Sequence, residues 1–208
     1  MQQHEDHHVN TLEALEALYG PVARPSMVKE VDYLHAAYRP FIEAASFVVL
    51  ASSGPGGLDA SPRGDQAGFV HIEDDKTLLL PDRRGNNRLD SLRNIVQDPR
   101  VALLFLIPGI GETLRVNGAA QISVQPDLLQ RFSVNGQAPR SVLRITVSSV
   151  YFQCSRAVIR AGLWDIERQL ERSALPTPGQ ILKAVSADEI DGQAYDAALP
   201  GRIASTLY

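Results

Sequence analysis

The chain carries one cysteine, one tryptophan and two methionines in 208 residues, and each scarcity removes a class of chemistry. A single thiol, Cys154, excludes an internal disulfide, and its neighbours Tyr151, Phe152 and Val158 predict a small buried thiol in place of a nucleophile. Long apolar runs are missing as well. None approaches the roughly 18 residues of a membrane-spanning helix, and the His-rich stretch Met1 to Asn10 has no apolar signal core. These absences suit a reducing compartment, so the expectation is a cytoplasmic protein with no membrane partner. The net charge of -4 also argues against non-specific nucleic-acid binding.

Familiar site motifs are equally thin. His4-Glu5-Asp6-His7-His8 matches a zinc pattern but has no apolar helix to hold it, so no metal site is expected. Gly109-Ile110-Gly111 lacks the third glycine of the dinucleotide fingerprint and reads as a turn. No Ser-His-Asp set assembles, and His71, the only histidine amid expected core, reads as a structural residue. No catalytic side chain is assigned.

What is present is a regular alternation of short apolar runs and turns. Thr11 to Tyr19 reads as a helix capped at Thr11 and stopped by Gly20-Pro21, and Pro40 should kink or split a second helical region from about Lys29 to Ala45. Ser46 to Ser52 and Leu58 to Arg63 form a hairpin around Ser53-Gly54-Pro55-Gly56-Gly57. Phe69 to Ile72 and Thr77 to Leu80 follow, then a strand at Arg100 to Ile107 buried on both faces, then Leu114 to Val124 and Val142 to Gln153. Helices around Gln180 to Ser186 and Ala187 to Ala198, the latter capped by Ser186 or Asp188, complete the tail. Mostly antiparallel strands with few helices argue for a mainly β protein of the barrel type. The expected organisation is a helical extension over residues 1–45, a barrel domain over 46–172 and a C-terminal arm over 173–208.

Within this pattern the run Leu78-Leu79-Leu80-Pro81-Asp82-Arg83-Arg84-Gly85-Asn86-Asn87-Arg88 carries the most chemistry. An apolar strand enters an Arg/Gly/Asn turn that opens into a helix with Leu89, Leu92, Ile95 and Val96 on one face, ended by Asp98-Pro99. The first N–H groups of a helix lack internal partners, its dipole is positive there, and Asn is a favoured cap. Arg83, Arg84 and Arg88 add charge suited to a phosphate dianion, although the same run can be a solvated turn. Two other segments add weight. Ser61-Pro62-Arg63-Gly64-Asp65 is a small-residue turn with an arginine, and in Thr113-Leu114-Arg115-Val116-Asn117-Gly118 the period of two puts Thr113, Arg115 and Asn117 on one face.

In order and spacing these segments resemble the pyridoxamine 5′-phosphate oxidase-like, FMN-binding split-barrel family over roughly Phe41 to Trp164. The resemblance implies a six-stranded split β-barrel of Greek-key type with peripheral helices and an N-terminal helical extension. It further implies a homodimer with FMN at the subunit interface and oxidoreductase chemistry on a small substrate. The phosphate would lie near Asn86, Asn87 and Arg88, with Arg84 beside it. Pro81 and Asp82 would run along the ring system, with Ser61, Arg63 and Asp65 at its other edge and Thr113 and Arg115 below. Trp164, on a segment reaching over from the second subunit, stacks on the ring or simply covers core. The namesake enzyme's lysine falls where Asp65 and Gln66 stand here, and Leu128 to Gly136 keeps Arg131 without the substrate-phosphate pattern. Oxidation of pyridoxamine phosphate is therefore not expected. A non-catalytic flavin or haem binding module, and a deazaflavin-dependent reductase in the same groove, are the alternatives on this fold.

Overall fold

The computed structural model describes residues 7–208, so His4, Glu5 and Asp6 of the zinc-like pattern lie outside the described residues. The turn Pro55-Gly56 cannot continue a strand, and around it β1 (Phe47–Gly54) and β2 (Gly57–Gly64) pair antiparallel, from Phe47 opposite Gly64 to Gly54 opposite Gly57. The sheet continues with β3 (His71–Ile72), β4 (Thr77–Asp82), β5 (Arg100–Leu106), β6 (Thr113–Ser123) and β7 (Ser141–Gln153). The spatial order is β2-β1-β5-β6-β7-β4-β3, and every pairing is antiparallel. Among the described residues the molecule is thus mainly β, with seven strands where the resemblance implied six. The additional one is the two-residue edge strand β3. Its predicted run started at Phe69, but Phe69 and Val70 leave the ladder and turn their side chains into the core.

One apolar cluster fills the curved sheet, with Val48 and Leu50 from β1, Leu78 and Leu80 from β4, Leu103 and Phe105 from β5, Leu114 and Val116 from β6 and Ile145 from β7. Strand β5 is not buried on both faces: Val101, Leu103 and Phe105 join the apolar cluster, and the residues between them, on the opposite face, are only half-buried. In β6 the predicted alternation holds, with Leu114 and Val116 inward and Thr113, Arg115 and Asn117 sharing the other face. A bulge between Asn117 and Gly118 bends β6 against β7. A Cβ on Gly118 would stand 2.3 Å from the Thr146 carbonyl oxygen, so only glycine permits the approach.

The helices sit at the periphery. Thr11 caps α1 (Leu12–Tyr19) by accepting the Ala14 N–H at 3.2 Å, and Gly20 at φ 71° ends it. Of the long helix expected from about Lys29 to Ala45 only α3 (Arg39–Ala44) forms, and a short helix α2 (Arg24–Val28) precedes that span. Pro40 starts α3 instead of kinking a longer helix, because a missing N–H costs nothing in a first turn. Then come α4 (Asp90–Gln97), α5 (Pro126–Arg131), α6 (Arg156–Ala161), α7 (Pro178–Val185) and α8 (Gly192–Thr206). Helix α8 begins later than the sequence suggests. Ala187 and Asp188 adopt left-handed φ of 51° and 68°, and Asp191 supplies the cap through Gln193 and Ala194. Cys154 is exposed, contrary to expectation, since β7 ends at Gln153 and the thiol falls past the inward alternation. No helix among the described residues is long and apolar enough to cross a membrane.

Candidate functional site

Helix α4 is fastened to the β1–β2 hairpin, and that fastening sets the site. Asn94 donates from Nδ2 to Ser52 Oγ at 3.2 Å and to the Gly57 carbonyl at 3.3 Å. A Cβ on Gly54 would lie 2.6 Å from Asn94 Oδ1, so glycine is what admits the asparagine. With α4 held there, the residues joining β4 to α4 must arch over the gap between β2 and β4. The arch uses left-handed backbone at Asn87 (φ 58°) and Leu89 (φ 63°). Leu89 is the residue preceding the helix and offers no side-chain cap, so the expected asparagine cap is replaced. Asn86 and Asn87 stand in the arch itself, where Asn tolerates left-handed φ better than most residues.

Beneath the arch lies a cavity of about 690 Å3. It is walled by Ser61 and Arg63 of β2, by Pro81 and Asp82 of β4, and by Arg84, Asn86, Asn87 and Arg88 of the arch. Eight of the twelve expected site residues therefore converge. Reasoning from sequence missed Asp59, Phe69, Ser91, Arg140 and Ser141, which also line the cavity. The β4–β7 register brings in the last two, since Asp82 pairs with Ser141, and a sequence reading that started the strand at Val142 could not reach them.

The polar groups of the wall divide into those spent on structure and those left over. Arg63 is braced by the Ser61 hydroxyl, the Pro62 carbonyl at 3.0 Å and Ser91 Oγ at 3.4 Å, while Ser91 itself donates to Asp59. Asn86 Oδ1 accepts the Arg88 N–H at 3.1 Å, and Asn87 Oδ1 accepts from Arg140 Nη1 at 3.2 Å. Asn86 thus commits its oxygen within the arch and Asn87 commits its oxygen to Arg140, and each keeps its NH2 group as a donor. Arg88 pairs through Nε with Asp90 at 2.7 Å, leaving its terminal nitrogens free for a ligand among the described residues. Asp82 lies 3.8 Å from Arg63. Burial pushes its carboxyl above the ordinary aspartate value, more than the nearby Arg63 and Arg140 charges lower it.

The other four expected residues are not in the cavity of a single chain. Asp65 stands just outside, its carboxylate 2.7 Å from Arg83 Nε, and Arg83 also donates to the Phe132 carbonyl at 2.6 Å. Thr113 and Arg115 face away on β6, where Arg115 donates to the Tyr151 hydroxyl at 2.8 Å. Trp164 donates to the Ile110 carbonyl at 2.7 Å beside the Gly109-Ile110-Gly111 turn. His71 is partly exposed, not deep in the core. It contacts Arg131 and stands edge-on to Phe132, with burial and then the Arg131 charge lowering its pKa against the pull of Glu73. Among the described residues no group of three or more His, Cys, Asp or Glu side chains is placed to hold a metal.

Several solved structures are similar to part of this chain. HupZ of Group A Streptococcus is 16% identical, with a TM-score of 0.48, over 58% of this chain and 94% of that one. General stress protein 26 of Bacillus anthracis is 16% identical, with a TM-score of 0.38, over 55% of this chain and 88% of its own. A Clostridium acetobutylicum protein related to general stress protein 26 is 11% identical, with a TM-score of 0.41, over 57% and 86%. No curated protein matches. The sequence model of the pyridoxamine 5′-phosphate oxidase family matches residues 34–154, which runs from the start of the buried core to just past the end of β7. Since that match covers more than half of the chain, the protein belongs to the pyridoxamine 5′-phosphate oxidase family.

Proposed function

We propose that the chain is an FMN-binding flavoprotein acting as an oxidoreductase on a small substrate, with the cofactor in the cavity between β2 and β4. One observation carries the reading. Free amide donors of Asn86 and Asn87 and the guanidinium of Arg88 stand together on one arch over a space of about 690 Å3, a size within the roughly 300–1,000 Å3 of small-molecule sites. Those donors suit a phosphate dianion, Pro81 supplies a flat apolar edge, and Arg63 is braced rigidly enough to hold a fixed charge beside a ring system. Bound FMN would supply the electron-transfer chemistry, and the chain would supply binding, orientation and electrostatics. Asp82, raised by burial, is a carboxyl that can hold or release a proton at the cavity wall.

Thr113, Arg115 and Trp164 enter the reading through a second copy of the chain. Their polar β6 face and the turn at Gly109 lie away from the cavity of their own subunit, as residues completing a partner's site would. The homodimer, the division of the chain at residues 45 and 172, and a cytoplasmic location belong to this proposal.

The test is an FMN titration followed in the visible spectrum, on protein shown to be folded. Saturable binding with a perturbed flavin band is expected, and its absence overturns the reading. Arg88→Ala should weaken FMN binding by about 1.5–3 kcal/mol through loss of a charged hydrogen bond. Unchanged affinity removes Arg88 from the site.

A further inference from the structure

Beyond Thr177 the C-terminal arm is bonded mainly to itself. The backbones of α7 and α8 touch at Gly179 and Gly192, and the Asp196 carboxylate of α8 accepts from the Thr177 hydroxyl and from the Gly179 N–H at 2.8 Å. Each helix buries one glycine and nothing else. Among the described residues a single hydrogen bond ties this part of the arm to the sheet, in which the Tyr208 hydroxyl donates to Asp65 Oδ1 at 3.0 Å. The Tyr208 ring also stands 5.8 Å from the Arg83 guanidinium carbon. All of these arm residues lie outside residues 34–154, the span the family model matches. We infer that the arm is a strap that governs passage into the cavity beneath the arch, with Tyr208 as the clip that holds it closed.

The clip closes on the pair that holds the arch down. Asp65 follows directly on β2, and its own N–H donates to the Ser46 carbonyl at 3.2 Å, so it is fixed to the sheet. Arg83 is the first residue after β4, where the arch begins, and it lines the cavity. Their ion pair at 2.7 Å therefore pins the root of the arch to the end of β2, and the cavity lies between those two strands. The Asp65 side chain is 4% exposed. Such a pair is strong only while water is kept from it. Tyr208 supplies part of that cover, since its hydroxyl occupies an Asp65 oxygen and its ring faces the guanidinium. Withdrawing Tyr208 admits water to the pair, weakens the pin and lets the arch lift from β2.

Docking of this kind is reversible. One hydrogen bond to a charged group and one ring contact with a cation are all that an opening must break, because the helices bring no apolar side chain into the core. Local openings of so few contacts lie at the low end of the free energies within a folded protein. The clip also keeps its proton at neutral pH. The bond to Asp65 and then the Asp65 charge push the Tyr208 phenol above its ordinary value, against the nearby Arg83 charge, so the hydroxyl remains a donor. Naming FMN as the molecule that passes rests on the flavin reading of the cavity, whereas the hold of Tyr208 on the arch rests on Asp65 and Arg83 alone.

The experiment compares the full chain with Tyr208→Phe, which loses only the hydroxyl, and with Tyr208→Ala, which loses the ring as well. Tyr195→Phe, on α8 but away from the clip, is the control, since its ring keeps the Arg202 contact at 4.3 Å. Two quantities are measured: amide hydrogen exchange over residues 83–89 without FMN, and the association and dissociation rates of FMN by stopped flow. Faster exchange in the arch is expected in both Tyr208 variants. Association and dissociation should both quicken, by about tenfold in Tyr208→Phe for a lost hydrogen bond to a charged group, so that Kd moves less than either rate. The control should match the parent. Arch exchange that ignores both Tyr208 substitutions overturns the inference and leaves the flavin reading standing. A faster dissociation with unchanged association also overturns it, because that is the mark of a lost ligand contact and not of a gate. Conversely, an arch loosened by Tyr208→Phe in protein that takes up no FMN keeps the strap and removes the flavin.

Discussion

Every side chain of the apolar core lies between Leu34 and Val150, whereas α1, α2 and α6 bury nothing and α7 and α8 bury one glycine each. The sheet is stabilised by what it encloses. The arms are held by local devices: the Thr11 cap, a capping box at Thr177 and Gln180, and the Asp191 cap. Between α7 and α8 the backbones touch, with a Cβ on Gly179 falling 2.0 Å from the Gly192 carbonyl oxygen. Caps contribute on the order of 1 kcal/mol each, and eight-residue helices are marginal in water on that footing. Meanwhile Leu12, Leu18, Tyr19 and Met27 in one arm, and Leu175, Ile181 and Val185 in the other, remain exposed. The difference locates stability in the sheet and leaves the arms as surfaces suited to covering something, which agrees with the proposed second copy.

The sharpest way to break this comparison is to truncate matched side chains in the two regions. Phe105 is fully buried, and Phe105→Ala should lower the unfolding free energy by about 3–5 kcal/mol in a urea titration. Leu18→Ala, on an exposed helix, should change it by no more than about 0.5 kcal/mol. A large loss at Leu18 that grows with protein concentration would instead place that helix inside an oligomer interface.

Glycines sharpen the same contrast at lower energy. Gly118→Ala drives a methyl into the Thr146 carbonyl across the β6 bulge, where neither strand can yield, and should cost about 1–3 kcal/mol of global stability. Gly179→Ala meets an equally hard obstacle in the arm. There the expected outcome is selective loosening of α7 and α8, seen as faster amide exchange in residues 178–206 with the urea midpoint of the sheet unmoved. A shift of that midpoint would show the arm to be part of the cooperative unit.

Asp65 is where arm and sheet meet, through Tyr208 and Arg83. Burial raises its pKa, but the Gln66 N–H and the bonds from Arg83 and Tyr208 together outweigh that and hold the carboxyl below the ordinary aspartate value. Because the folded value is depressed, its stabilisation is fully present above the unfolded pKa of about 3.9 and is lost as pH falls through the folded one. Asp65→Asn should therefore be less stable than the parent at pH 7, with the gap closing below about pH 4. A gap that persists unchanged to pH 2 would remove charge as the cause.

The contrast also explains what could be read from sequence. Period-two alternation in β6 and the Pro-Gly turn between β1 and β2 are local signals with one structural solution, and both appear as expected. The strand-to-helix turn of the arch was legible for the same reason, because Arg, Asn and Gly between a strand and a helix are themselves the signal, although Leu89 and not an asparagine precedes the helix. What failed depended on distant parts of the chain. Cys154 lies among apolar neighbours in sequence, yet the end of β7 decides its exposure. Arg140 and Ser141 reach the cavity only through strand register, and Tyr208 reaches Asp65 across 143 positions, which no window of sequence contains.

The last predicted effect concerns the connection between α5 and β7. Among the described residues, Ser133 Oγ is the buried side-chain oxygen without a hydrogen-bond partner, one residue past the Phe132 carbonyl that receives Arg83. A buried hydroxyl that makes no bond has already lost its hydration, so its removal should recover part of the desolvation cost. Ser133→Ala is accordingly expected to be neutral or to stabilise by up to about 1 kcal/mol in the same urea titration. A loss of that size would mean that the hydroxyl is bonded in solution, by water or by a ligand. Repeating the measurement with saturating FMN separates those cases, since only a ligand-bonded hydroxyl makes the cost of the substitution depend on ligand.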